Sequence, residues 1–187
     1  MRTPRGHAGQ RFLVAVAAVA LLVASTQDAC SVAEDFLDPV HADQVAALGG
    51  DPSGQHNGPT HRPGQPCLVC HGGLGPGQPD FSVGGTIYRS QTGTVAIQGA
   101  VVTLTDAQGT VHALTTNRTG NFYVNASDWV PSYPMLVSVS DSNTKIDMKT
   151  PVGRDGSCAA CHSDPAGPAS AGHVYLVADP ATSPVGP

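Results

Sequence analysis

Basic side chains are scarce in this chain: nine Lys and Arg stand against fourteen Asp and Glu, a formal net charge of −5. That balance excludes the phosphate-neutralising surface on which nucleic-acid binding rests. Aromatic residues are also few, at 5%, which leaves little material for a large aromatic core. No apolar run reaches the roughly 20 residues that cross a bilayer comfortably. What is abundant is 22 Gly and 16 Pro in 187 residues. This suits one β-domain of ordinary size with long irregular flanks, and not a helical bundle or two large domains.

The longest apolar run, Phe12 to Ala24, follows Arg2, Arg5 and Arg11. A charged segment before a short apolar one is an export signal, so residues 1–29 are set apart from the fold. Two cleavage readings stay open. Cys30 follows Ala29 at the place where a bacterial lipoprotein carries its lipidated first residue, although Gln27-Asp28-Ala29-Cys30 departs from the usual Leu-Ala-Gly/Ala-Cys. Lipidation there would anchor the protein to a membrane in place of a span. A cut near Ala24 or Thr26 would instead leave Cys30 as an odd thiol. The expected location is the periplasm, or a membrane or cell surface reached as a lipoprotein. Removing residues 1–29 leaves six basic against thirteen acidic side chains. An acidic mature protein fits a basic protein as its partner.

Residues 30–81 read as an irregular arm. A helix-compatible stretch, Asp43 to Leu48, ends at Gly49-Gly50. Residues 82–177 carry seven short runs of strand-forming residues: 86–88, 100–105, 111–116, 121–124, 135–140, 145–149 and 174–177. Val102, Leu104, Val137 and Val139 alternate with polar neighbours, and Gly109, Gly120 and Asp141-Ser142-Asn143 punctuate the runs. This spacing predicts a mainly β fold, a seven-stranded immunoglobulin-like sandwich of two sheets with irregular flanks. The interval 151–172 interrupts it, and residues 178–187 form a tail.

Three stretches carry a resemblance: Gly84-Gly85-Thr86-Ile87-Tyr88, the run Gly99 to Asp106, and Thr115 to Val124 with Asn117-Arg118-Thr119-Gly120 at its centre. Together they resemble the carboxypeptidase regulatory-like family. The resemblance covers about residues 82–150 and the final strand. It implies a prealbumin-like sandwich that serves as a support module without catalytic residues of its own.

Four of the five cysteines fall in two pentamers, Cys67-Leu68-Val69-Cys70-His71 and Cys158-Ala159-Ala160-Cys161-His162. C-x-x-C-H is the attachment signal for c-type haem: two thiols add to the haem vinyl groups, and the next residue offers its imidazole to the iron. Export agrees, because attachment takes place outside the cytoplasmic membrane. The expected cofactors are two covalently attached haem c groups, with Cys67, Cys70, Cys158 and Cys161 holding the rings and His71 and His162 as proximal ligands. A thioredoxin-like dithiol would need its C-x-x-C within a βαβ unit, which neither pentamer has. A zinc site shared by the four cysteines gives no reason for a histidine after both pairs.

The pentamers resemble those of dihaem and multihaem c-type cytochromes, and the resemblance is confined to them. There is no paired-helix pattern around them, and Met135 and Met148 lie in predicted strands. The sixth ligands are therefore sought among His173, His61 and His56, with His41 and His112 behind them. His61 precedes Cys67 by only six positions, so reaching the iron face opposite His71 requires the chain to double back sharply. Should the last strand run parallel beside the first, both pentamers fall at one end of the domain. Electron transfer is the leading function, with no catalytic residues. A haem enzyme or gas sensor with an open iron face is the alternative, and a surface module whose cysteines hold zinc or disulfides is a third reading.

Overall fold

The computed structural model of the chain describes residues 41–50, 57–164 and 166–176. The export signal expected over 1–29, Cys30, His56 and the tail 178–187 lie outside the described residues. The chain divides into two units, Met1–Asp43 and Gln44–Pro187. Residues 41–43 of the first are helical. Among the described residues, no helix is long and apolar enough to cross a membrane.

The second unit is mainly β. Residues 44–47 are helical and stop before Gly49, whose φ is +71°, as Gly-Gly at a helix end predicts. A five-residue helix α1, Cys67–His71, precedes strand β1, Phe81–Tyr88. Then come β2, Val101–Thr105; β3, Val111–Thr115; β4, Asn121–Asn125; β5, Leu136–Ser140; and β6, Lys145–Asp147. A single 3-10 turn, Cys158–Ala160, and β7, Val174–Tyr175, complete the order. All seven expected strand segments are present.

The strands form two sheets, ordered β4-β1-β7 and β3-β2-β5-β6. In β2, Val102 and Leu104 are fully buried while Val101, Thr103 and Thr105 are partly exposed, the period of two that a half-buried strand requires. Both sheets contribute to one core, formed by Val83, Ile87, Phe122, Val124 and Leu176 with Ala100, Val102, Leu104, Met135 and Val139. Turns are fixed by side-chain acceptors: Asp141 Oδ1 accepts the amides of Asn143 and Thr144 at 2.7 and 2.8 Å.

β1 starts five residues earlier than the strand run read from sequence. From Val83 to Tyr88 every residue is buried, so no alternation marks it, and Gly84-Gly85 has little strand propensity. One face, Val83, Gly85 and Ile87, meets the core; the other, Gly84, Thr86 and Tyr88, is covered by the segment that leads into α1. β1 pairs antiparallel with β4 along one edge. Along the other it pairs in parallel with β7, Ile87 opposite Val174 and Tyr88 opposite Tyr175. A parallel bridge between Gly84 and Ser157 precedes that pairing on the same edge. The chain just before Cys158 and the closing strand thus both lie beside β1.

Candidate functional site

The two pentamers meet β1 from its two faces. A Cβ built on Gly84 would stand 3.2 Å from the Cys67 sulfur, and one on Gly85 would stand 2.9 Å from the Cys158 sulfur. Adjacent residues of a strand face opposite sides. Only backbone therefore separates Cys67 from Cys158, and glycine is the residue that permits both approaches. The sequence signal was present, since Gly inside a strand marks close approach of another group.

Around the first pentamer, His71 is buried, and its Nδ1 donates to the Pro79 carbonyl at 2.8 Å. Its ring stacks on Phe81 of β1 at 4.2 Å between centroids, and Phe81 stacks on Tyr123 of β4 at 4.4 Å. Gly77 makes room for the ring, since a Cβ there would lie 2.8 Å from His71 Nδ1. A carbonyl only accepts, so Nδ1 carries the proton and Nε2 keeps the lone pair of the neutral ring. A cavity of about 710 Å³ opens beside these groups, lined by Cys67, Cys70, His71, His61, Phe81 and Tyr123 among others. That volume lies within the roughly 300–1,000 Å³ of cofactor and small-molecule sites.

The second pentamer repeats the arrangement. His162 Nδ1 donates to the Gly172 carbonyl at 2.8 Å, again leaving Nε2 as the available nitrogen. Cys158 packs against the core, whereas Cys161 is exposed and His162 half-buried. The first site is thus the more enclosed of the two.

The four cysteines are unbridged. Burial pushes the Cys67 thiol up to about 11, with the neighbouring Cys70 adding to a rise that a backbone hydrogen bond opposes. Burial pushes Cys158 up to about 12, and nearby Cys67 and Asp155 act in the same direction. Redox-active dithiols show the opposite, a thiol pKa lowered towards neutrality. Among the described residues no three His, Cys, Asp or Glu side chains are grouped to hold a metal ion.

No family model, curated protein or solved structure matches this chain.

Of the other histidines, His61 lies with its ring centroid 5.8 Å from that of His71. His173 is 6% exposed; its Nδ1 donates to the Gly93 carbonyl at 3.0 Å and its ring stacks on Tyr88 at 4.0 Å. His112 stacks on Trp129 at 4.3 Å. His41 Nε2 is buried without a hydrogen-bond partner. The irregular arm is better anchored than its composition suggests. Asn121 Nδ2 donates to the His61 carbonyl at 2.9 Å, Thr119 Oγ1 to the Thr60 carbonyl at 3.2 Å, and the Gly64 amide to Thr86 Oγ1 at 2.8 Å. Such side-chain bonds to backbone leave no hydrophobic period to read.

Proposed function

We infer that this chain is an exported dihaem c-type cytochrome that carries electrons, with its seven strands folded as the prealbumin-like sandwich of a carboxypeptidase regulatory-like domain. The observation that carries the reading is the matched pair of Nδ1 to backbone-carbonyl hydrogen bonds at His71 and His162, each 2.8 Å. A histidine held in this way has its tautomer and ring orientation fixed before it meets a metal.

The residues fit the group. Cys67 and Cys70 would hold one ring beside the cavity, Cys158 and Cys161 the other, and His71 and His162 would present Nε2 to the irons. Bound haem supplies a one-electron couple. The chain fixes the imidazoles, lines the first site with the rings of Phe81 and Tyr123, and leaves the second site nearer the surface, where a partner can approach. His173, held through Nδ1, would offer Nε2 as a distal ligand, assigned here to the second haem. The acidic mature surface supports a basic redox protein as partner, and export with lipidation at Cys30 would place the protein at a membrane.

The deciding experiment is intact mass with a reduced-minus-oxidised spectrum after periplasmic maturation in a host that attaches haem c. Two covalent haem increments and a c-type spectrum are expected; an unmodified mass from correctly exported protein would overturn the proposal.

A further inference from the structure

The geometry points to His61 as the second axial ligand of the same iron that His71 binds, so that the first site is closed on both faces by histidines only ten residues apart in sequence. This assignment rests on the dihaem reading above.

Separation is the first argument. Two imidazoles sharing one metal ion stand on the order of 6 Å apart between ring centres: metal–nitrogen bonds of about 2.0–2.1 Å each, the zinc value, plus about 1 Å from each nitrogen to its ring centre. The observed separation of 5.8 Å, with the rings tilted by 53°, agrees. Both rings line the same cavity as Cys67 and Cys70. His61 Nδ1 is hydrogen-bonded to the Gly58 carbonyl, so His61, like His71, keeps Nε2 as its ligating nitrogen.

The second argument concerns the chain reversal that the short spacing demands. Arg62, directly after His61, has φ of +46°, and Gly64 has φ of +81°. Two left-handed residues in three positions turn the backbone back on itself, and a left-handed conformation is unfavourable for Arg unless its surroundings hold it there. They do so here. Arg62 Nη2 donates to the Gly49 carbonyl at 2.7 Å and Nη1 to Gln65 Oε1 at 2.7 Å. The His61 carbonyl and the Gly64 amide are both bound from the sheet, by Asn121 and Thr86, and Thr86 Oγ1 in turn donates to Asn121 Oδ1 at 2.7 Å. The strain is spent on bringing His61 to His71, the arrangement expected where a backbone outlier serves a site.

The test uses the full exported chain carrying Cys158→Ala and Cys161→Ala, which keeps only the first haem, read by intact mass and by electron paramagnetic resonance of the oxidised protein. A single low-spin, bis-imidazole signal is expected. Adding His61→Ala should convert it to high spin, and added imidazole should restore low spin. His61→Met should instead yield a low-spin histidine–methionine signature. One haem by mass with an unchanged bis-imidazole signal after His61→Ala would overturn the assignment while leaving the haem reading intact, as would a high-spin signal before His61 is touched. If His61→Ala fails to mature, the signal of the parent and the His61→Met signature decide. No covalent haem in the parent or in the wild-type chain would overturn the underlying reading itself.

Discussion

Gly85 lies against Cys158: a Cβ on the glycine would sit 2.7 Å from the cysteine Cβ and 3.1 Å from the Phe122 ring. Overpacking of this kind costs about 1–3 kcal/mol in a filled core. Gly84 has slightly more room, its virtual Cβ standing 3.1 Å from Cys67 Cβ and 3.2 Å from the sulfur. We expect Gly85→Ala to lower the melting temperature of the mature protein more than Gly84→Ala does. Thermal unfolding of the two variants checks the order, and equal melting temperatures would contradict the packing described for β1.

The two sites differ in exposure, and under the proposed dihaem reading reduction potentials should follow. Burial disfavours the more highly charged ferric state, so the haem beside the cavity is expected to have the higher potential. Cys67→Ala with Cys70→Ala should remove that haem, and Cys158→Ala with Cys161→Ala the other, each losing one haem mass. Redox titration of the two single-haem proteins then assigns the potentials; a reversed order would count against the exposure argument.

Under the same reading, His173→Ala is expected to change the ligand signature of the haem proposed at Cys158 and Cys161 and to leave the other signal alone. Paramagnetic resonance of the oxidised dihaem protein reads this directly. Two unchanged bis-histidine signals would reduce His173 to a structural role between Tyr88 and Gly93.

Asp106 offers a pH test of the fold. Desolvation pushes its carboxyl up, but amide donation from Thr110, Ser132 and Gln108, at 2.9, 3.2 and 2.9 Å, outweighs this and holds it below the usual carboxylate range. A group with a lowered folded-state pKa contributes stability above its unfolded value of about 3.9, and that contribution disappears as pH falls through the lower folded value. Asp106→Asn should therefore melt several degrees below wild type at neutral pH, and the gap should close in strong acid. A gap independent of pH would refute the assignment.

Much of this was legible in the residues. Alternating Val and Leu marked β2 and β5, and the C-x-x-C-H spacing singled out six side chains that the fold gathers on the two sides of β1. Two features were not legible. β1 is buried on both faces, which erases the alternation that reveals a strand, so Phe81 to Gly85 carry no strand period of their own. The arm at 59–64 is ordered by Asn121, Thr119 and Thr86, and nothing in a Gly- and Pro-rich stretch announces partners 22 to 60 residues downstream. The positive φ of Arg62 belongs with these, because only a folded backbone reveals it.

The parallel pairing of β1 with β7 also dictates an order of events. In the proposed export the chain emerges from its N-terminal side, so α1 and β1 through β6 would reach the far side of the membrane before Cys158 and the closing strand. Until Val174 and Tyr175 arrive, the edge of β1 at Ile87 and Tyr88 lacks its parallel partner and Leu176 is missing from the core. In the proposed reading both thiol pairs are reachable by attachment enzymes during that interval, and arrival of β7 ends it. Closure of the sheet would thus act as a deadline for maturation, and slow long-range pairing would serve the protein by keeping the interval open.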